Sequence, residues 1–195
     1  AGKATSLKAD DQVSLLAAAN TTQESNSSKN SSASAGMTLG TGGSGFIASA
    51  SAGKGNGSGN STTYTNTQVS GNTVNIDSAG DTTLKGAVVS ANQVTANVGG
   101  NLNIESLQDT SQYKEKSNQA GGSLFVGAGA SGPVSGNVNV GQSKINSDYQ
   151  SVGEQSAIRA GDGGFYVNVQ GKTELTGGQI TSTQAAIDNN KNSFS

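Results

Sequence analysis

The sequence predicts an all-β chain: a right-handed parallel β-helix of about 20 residues per coil, carrying two protruding antiparallel β-hairpin excursions. Three observations lead there. Apolar residues come as i, i+2 doublets (Val74/Ile76, Val94/Ala96/Val98, Leu102/Ile104, Val167/Val169), which is the side-chain period of a strand. These doublets recur: Val74 as Val94, Ile76 as Ala96, Thr82 as Leu102 and Leu84 as Ile104, each 20 residues on. The third is composition. Of 195 residues, 31% are hydrophobic and 12% charged, against about 45–50% (counting Gly) and about 25% in ordinary globular domains. Such a chain stays dry inside only if each apolar side chain is used twice, touching the same position one coil up and one coil down. Disorder is disfavoured, because the net charge is −2 and there is one Pro. An antiparallel β-sandwich also gives alternation and regular turns, and remains the other architecture open to this pattern. The 20-residue spacing, kept through turns of unequal length, favours the helix.

The elements follow in order. Turn residues at 78–81 (SAGD), 99–101 (GGN) and 170–172 (QGK) punctuate the doublets. No stretch carries the 3.6-residue period over the 10–12 residues that a helix needs. A longer repeat encloses the short one. Residues 11–21 (DQVSLLAAANT) match 100–110 (GNLNIESLQDT), with Val13 on Leu102 and Leu15 on Ile104, 89 residues apart. Residues 80–86 (GDTTLKG) match 171–177 (GKTELTG) at a spacing of 91, and 35–42 match 122–129 with Met37 on Leu124. Residues 1–195 therefore read as one repeat-built segment of a longer chain. A first unit spans 1–90 (excursion about 20–71) and a second spans 91–183 (excursion about 109–163). Residues 184–195 start a further unit or form a linker. The opening Ala1-Gly2-Lys3 carries neither an initiating Met nor a signal peptide, which fits a piece of something longer.

The two excursions break the 20-residue spacing but have strand patterns of their own. In the second, Leu124, Val126, Ala128 and Ala130 alternate, as do Val138 and Val140, about a turn at 129–133. In the first, Met37 and Leu39 precede Phe46, Ala48, Ala50 and Ala52. The polar flanks 21–34 and 110–119 are expected to pair with the return legs near Tyr64 and Tyr149. Segments 122–131 and 134–142 are about ten residues long with one small-apolar face, the length a membrane-crossing β-strand requires. That marks Leu124, Val126, Ala128, Val138 and Val140 as candidate interaction or membrane-active positions.

Much chemistry is excluded by composition. With no His and no Cys there is no common zinc, haem or iron–sulfur site, no Ser–His or Cys–His nucleophile pair and no disulfide. The slightly acidic balance offers nucleic acid no electrostatic footprint. No apolar run approaches the roughly 18 residues of a membrane-spanning helix. A Cys-free chain rich in Ser, Thr, Asn and Gly suits a bacterial extracellular protein. The acids Asp77, Asp81, Glu105, Asp109, Glu154 and Asp162 would be the candidates if this were a carbohydrate-active β-helix enzyme, which needs two carboxylates across one face. Most fall in turns beside Gly or Thr, where Asp is a turn former.

The motifs weigh no more. Residues 40–45 (GTGGSG) match a dinucleotide fingerprint by letter, but no helix follows. Residues 161–165 (GDGGF) resemble a calcium-binding nonapeptide without the tandem copies such sites need. Ala52-Gly-Lys54 lacks the rest of a phosphate loop. All three read as turns. Asn72, Asn75, Asn92, Asn97, Asn101 and Asn103 read as ladder residues stacking amide on amide. Tyr64, Tyr113 and Tyr149 read as side chains packing the excursions onto the β-helix, with an exposed receptor stripe as the alternative. No catalytic, cofactor-binding or metal-ligating residue is assigned.

Residues 103–113 (NIESLQDTSQY), 120–126 (AGGSLFV), 146–165 (NSDYQSVGEQSAIRAGDGGF) and 175–183 (LTGGQITST) resemble the haemagglutinin repeats of filamentous-haemagglutinin-like exoproteins. This family includes the effectors of contact-dependent growth inhibition. The likeness is closest to their downstream repeat region; it is strong in the second unit and looser between 20 and 60. It implies secretion through an outer-membrane two-partner secretion transporter and display as a β-helical filament at the bacterial cell surface. It also implies partners: the rest of a parent exoprotein with its C-terminal toxin, and a target-cell surface or outer membrane. The expected function is non-enzymatic, either adhesion or delivery of the toxin across a target outer membrane, with a passive stalk spacer as the alternative. Exposed strand edges at the ends of a β-helix further predict end-to-end association.

Overall fold

The computed structural model describes residues 4–39, 44–128 and 132–195. In chain order the elements are β1 (Ala4–Ala9), β2 (Val13–Leu16), β3 (Ala18–Thr38), β4 (Gly45–Thr65), β5 (Thr67–Ser78), β6 (Thr82–Lys85), β7 (Ala87–Val98), β8 (Leu102–Glu105), β9 (Asp109–Gly127), β10 (Val134–Ser151), β11 (Ala157–Val169), β12 (Thr173–Thr176), β13 (Gln179–Thr181), α1 (Gln184–Asp188) and β14 (Ser193–Phe194). They form two compact units. One comprises residues up to 21, 62–110 and 150–195; the other comprises 22–61 and 111–149.

The first unit is the expected parallel β-helix. One sheet runs β1-β5-β7-β11-β13, with β14 also beside β11, and a second runs β2-β6-β8-β12. Their pairings are parallel throughout. The register stacks like on like. Thr5, Val74, Val94 and Phe165 make one column, Leu7, Ile76, Ala96 and Val167 the next, and Val69, Val89, Ile158 and Ile180 a third. Leu15, Leu84, Ile104 and Leu175 line the facing sheet. Val74 and Val94, and Leu84 and Ile104, are direct neighbours and fully buried. Burying each such aliphatic side chain stabilises by about 1.5–3 kcal/mol, so a few columns hold the unit.

Between β5 and β7, and between β6 and β8, partners are 20 residues apart. At β1/β5, β2/β6 and β7/β11 the spacing jumps, because one strand of each pair lies beyond an excursion. The 89- and 91-residue repeats are thus two-rung steps: Val13 to Thr82 to Leu102, and Leu84 to Ile104 to Leu175.

Corners appear as slips in the inward–outward alternation. In β7, Ala87, Val89 and Ala91 point in, then Val94, Ala96 and Val98, with Asn92 and Gln93 between. β11 turns the same corner with three residues where β7 uses one, a bulge between Ala160 and Gly164. This bulge is the 161–165 motif. Gly163 N–H donates to Asn92 Oδ1, and Asp162 accepts from Thr183 Oγ1 at 2.7 Å. Gly164 has φ +71°, and a Cβ there would strike the Lys191 carbonyl oxygen.

The asparagine ladders are only partly of the expected kind. Asn97 lies beside Asn168 on one side but donates to Asp77 Oδ1 at 2.7 Å on the other. Asn101 donates through its backbone N–H and its amide to Asp81 Oδ1, and its own Oδ1 accepts from the Lys172 N–H. The turns stack Asp on Asn, because a carboxylate accepts several N–H groups where a second amide offers one oxygen. The chain also contains a helix that periodicity did not predict. α1 is a single turn capped by Thr183, too short to register in a 3.6-residue pattern, and it buries Ala186.

The second unit is a four-stranded sheet in the order β10-β9-β4-β3. Cross-strand partners step in opposite directions: Ser34 meets Ser49, Ser32 meets Ser51 and Ser27 meets Asn56, so β3 and β4 are antiparallel. Likewise Gly127 pairs with Pro133 and Ser123 with Asn137 on β9 and β10. Two hairpins are present as expected, but β4 and β9 are also neighbours, so they merge into one sheet. The 40–45 motif and the 129–133 turn lie largely outside the described residues, as does Ala130. Ala52-Gly-Lys54 is no loop; it runs inside β4.

Candidate functional surface

Alternation gives the second unit's sheet two unlike faces. On one, β4 is a glycine column, Gly53, Gly55, Gly57 and Gly59, roofed by neighbours on both sides. Asn30, Ser28 and Asn26 reach it from β3, and the Tyr113 ring from β9 lies within 3.2 Å of a Gly59 Cβ position. Tyr113 Oη donates to Glu115 at 2.9 Å. The tyrosine thus covers glycine backbone within its own sheet. Tyr149 is not packed away as expected; it is 59% exposed.

The opposite face is apolar and open. Ser34/Ser49 and Ser32/Ser51 contact each other on the first face, so Ala33, Ala35 and Met37 of β3 and Phe46, Ala48, Ala50 and Ala52 of β4 point the other way. The same parity on β9 and β10 brings Ala120, Gly122, Leu124 and Val126 beside Val134, Val138 and Val140. Ala35, Ala48, Leu124 and Val138 line one shallow groove, and Met37, Phe46 and Val126 a second. Leu124 is 50% exposed, Val138 83% and Val140 80%. Soluble monomers rarely leave contiguous apolar surface of this kind uncovered.

Of the positions read from sequence, Leu124, Val126, Val138 and Val140 share this face, and Ala128 follows β9 at its end, donating its N–H to Ser44. The β3 and β4 half of the patch was legible as alternation. Its continuity with β9 was not, because nothing in the sequence marks the β4–β9 pairing.

The carboxylates are dispersed among structural duties. Asp77 lies near the end of β5 and accepts from Asn97 of β7, Asp81 sits on a stacked turn, and Glu105 pairs with Lys85 at 2.9 Å. Asp109 accepts the Tyr64 N–H at 2.7 Å, and Asp162 accepts from Thr183. Glu154 accepts from Gln68 at 2.8 Å and from Arg159 at 3.2 Å. Each has its own hydrogen-bond or ion-pair partner. Among the described residues no group of three or more acidic side chains is placed to hold a metal ion, and no helix is long and apolar enough to cross a membrane.

Known proteins are similar to this chain in sequence. A toxin CdiA of Escherichia coli is 43% identical over 198 residues, covering 98% of this chain and 6% of the relative. A deoxyribonuclease CdiA of Yersinia pseudotuberculosis serotype O:3 (strain YPIII) is 40% identical, covering 97% of this chain and 18% of the relative. A tRNA nuclease CdiA of Escherichia coli (strain NC101) is 41% identical, covering 97% and 6%. The chain therefore spans a small part of each relative's length. The family model described as "Hemagglutinin repeat" matches residues 1–121, which take in both rungs of 20-residue spacing and the first excursion. With that match, and with parallel columns built from the repeat, the chain belongs to the hemagglutinin repeat family.

Proposed function

We propose that this chain is a non-enzymatic delivery segment of a secreted bacterial cell-surface exoprotein, meeting a target cell's outer membrane through the apolar face of its four-stranded sheet so that a C-terminal toxin can cross. The observation that carries the reading is the open stripe of Leu124, Val126, Val138 and Val140 on strands as long as those that cross bilayers. The relatives that share this segment are named as toxins and nucleases. Secretion through an outer-membrane two-partner transporter belongs to the same reading. A Cys-free chain cannot lock itself before transit, and nearest-neighbour rungs can form as the chain emerges.

The test is a parent exoprotein carrying Leu124→Ser, Val126→Ser, Val138→Ser and Val140→Ser. Surface display and attachment to target cells should be retained while toxin entry falls at least tenfold. Entry that continues undiminished would overturn the reading in favour of a passive stalk spacer. A spacer is the reading that the uninterrupted columns of the β-helix support by themselves.

A further inference from the structure

The apolar face of the second unit ends in lysines. Going along each strand from the hairpin turns, the apolar positions give out after Ala33, Ala52, Ala120 and Val140. The same alternation then places Lys29, Lys54, Lys116, Lys114 and Lys144 on that face. The parity is anchored on both sides. Asn30 and Ser28 lie over Gly53 and Gly55 on the opposite face, and so does Tyr113, hydrogen-bonded to Glu115. Lys29, Lys54, Lys114 and Lys116 must therefore face away from them, and Lys144 keeps the parity of Val138 and Val140.

All five lysines of this unit thus share one face, while the acids Glu24 and Glu115 occupy the other; Asp148 is the one acid on the lysine side. Each of the five is exposed, and among the described residues none is in an ion pair. The band of apolar positions from Phe46 to Ala52 is about 20 Å long at the rise of a strand. A band of small apolar side chains bordered on one side by flexible cations matches a bilayer whose headgroups are negative, since the stems can lie along the acyl boundary with the ammonium groups among phosphates.

We infer that this lysine belt recognises the phosphate headgroups of an anionic phospholipid bilayer and sets how far the apolar band enters it. The inference rests on the membrane reading above and adds to it the chemistry of the partner and the depth of contact. A second copy of the chain laid face to face would have to bury cations it cannot pair, so the bilayer is the occupant that the charges favour.

The test uses the purified 195-residue chain with two kinds of vesicle: phosphatidylcholine alone, and phosphatidylcholine with phosphatidylglycerol. Flotation should recover the chain with the mixed vesicles at low salt and much less with the neutral ones. The variant K29Q/K54Q/K114Q/K116Q/K144Q should lose at least about tenfold in affinity for the mixed vesicles with an unchanged circular dichroism spectrum. Raised salt should mimic that loss. Equal binding to both vesicle types, unmoved by the lysine variant, would sink the lysine inference and leave the membrane reading standing. Binding to neither would sink both. A stable dimer in solution that Leu124→Asp with Val138→Asp dissociates would assign the face to a second copy and overturn the inference.

Discussion

Ser156 donates its hydroxyl to the Glu105 carbonyl oxygen at 2.6 Å. That bond joins the residue where the chain re-enters the β-helix to the end of the strand it left. The same Oγ accepts the Ala87 N–H at 3.2 Å, and the Ser156 N–H donates to Ser106 Oγ at 2.9 Å. Ser156 and Ala87 are both fully buried, so the Ala87 N–H has no water to turn to. Ser156→Ala should destabilise the first unit by about 1–3 kcal/mol, the cost of stranding the buried Ala87 N–H, while the Glu105 carbonyl keeps the Gly86 N–H. Chemical denaturation read as a shift in midpoint checks it; a shift within error would mean the re-entry is held elsewhere.

The columns predict coupling. Leu84→Ala and Ile104→Ala should each cost about 2–5 kcal/mol as core truncations. Because the two side chains are stacked neighbours, a double-mutant cycle should return an interaction of roughly 0.5–3 kcal/mol. Strict additivity would mean that the rungs do not share a core.

Two glycines should behave oppositely. At Gly164 the φ of +71° and the Lys191 carbonyl leave no room for a Cβ, and Lys191 leads into β14. Gly164→Ala should therefore cost about 1–3 kcal/mol and speed amide exchange at Phe194 and Ser195. Gly141→Ala, where a Cβ would have nothing within 4 Å, should be neutral or slightly stabilising.

Tyr113 separates ring from hydroxyl. Tyr113→Ala uncovers Gly57 and Gly59 and should lower the stability of the second unit by about 1–2 kcal/mol. Tyr113→Phe keeps the ring, loses only a partly exposed bond to Glu115, and should cost less than about 0.5 kcal/mol. Limited proteolysis within 22–61 gives the readout, and equal effects from the two variants would overturn the covering role.

The ion pair of Lys85 and Glu105 should matter little. Both side chains are more than two-fifths exposed, and such pairs contribute about 0–1 kcal/mol. Glu105→Gln should leave the denaturation midpoint nearly unmoved at any salt concentration. A large loss would show that neighbouring rungs are held by charge as well as by their columns.

Much of the fold was legible from residues. The doublets at Val74/Ile76 and Val94/Ala96 give the strand period, and their recurrence names the partner, since in a coil the neighbour along the chain is the neighbour in space. Stacking polar residues were legible as turn formers, but Asp77 and Asp81 as acceptors for Asn97 and Asn101 were not, because the choice of partner depends on which side chain offers more acceptor sites. That Leu124, Val126, Val138 and Val140 share one face of the second excursion was legible from alternation alone. Lys29 and Lys54 were not, because their membership of the same face depends on strands from a different part of the chain.

Sequence by itself determined the strands, the rungs and the family, because a repeating apolar period is written in side chains. Only the tertiary structure decided that β4 lies against β9, that the 161–165 segment is a bulge received by Lys191, and that Ser156 closes the re-entry. The physical reason is that these features are made by backbone hydrogen bonds and close glycine approaches. A strand of Ser, Asn and Gly offers the same N–H and C=O groups to any neighbour, so its sequence does not name the one it takes.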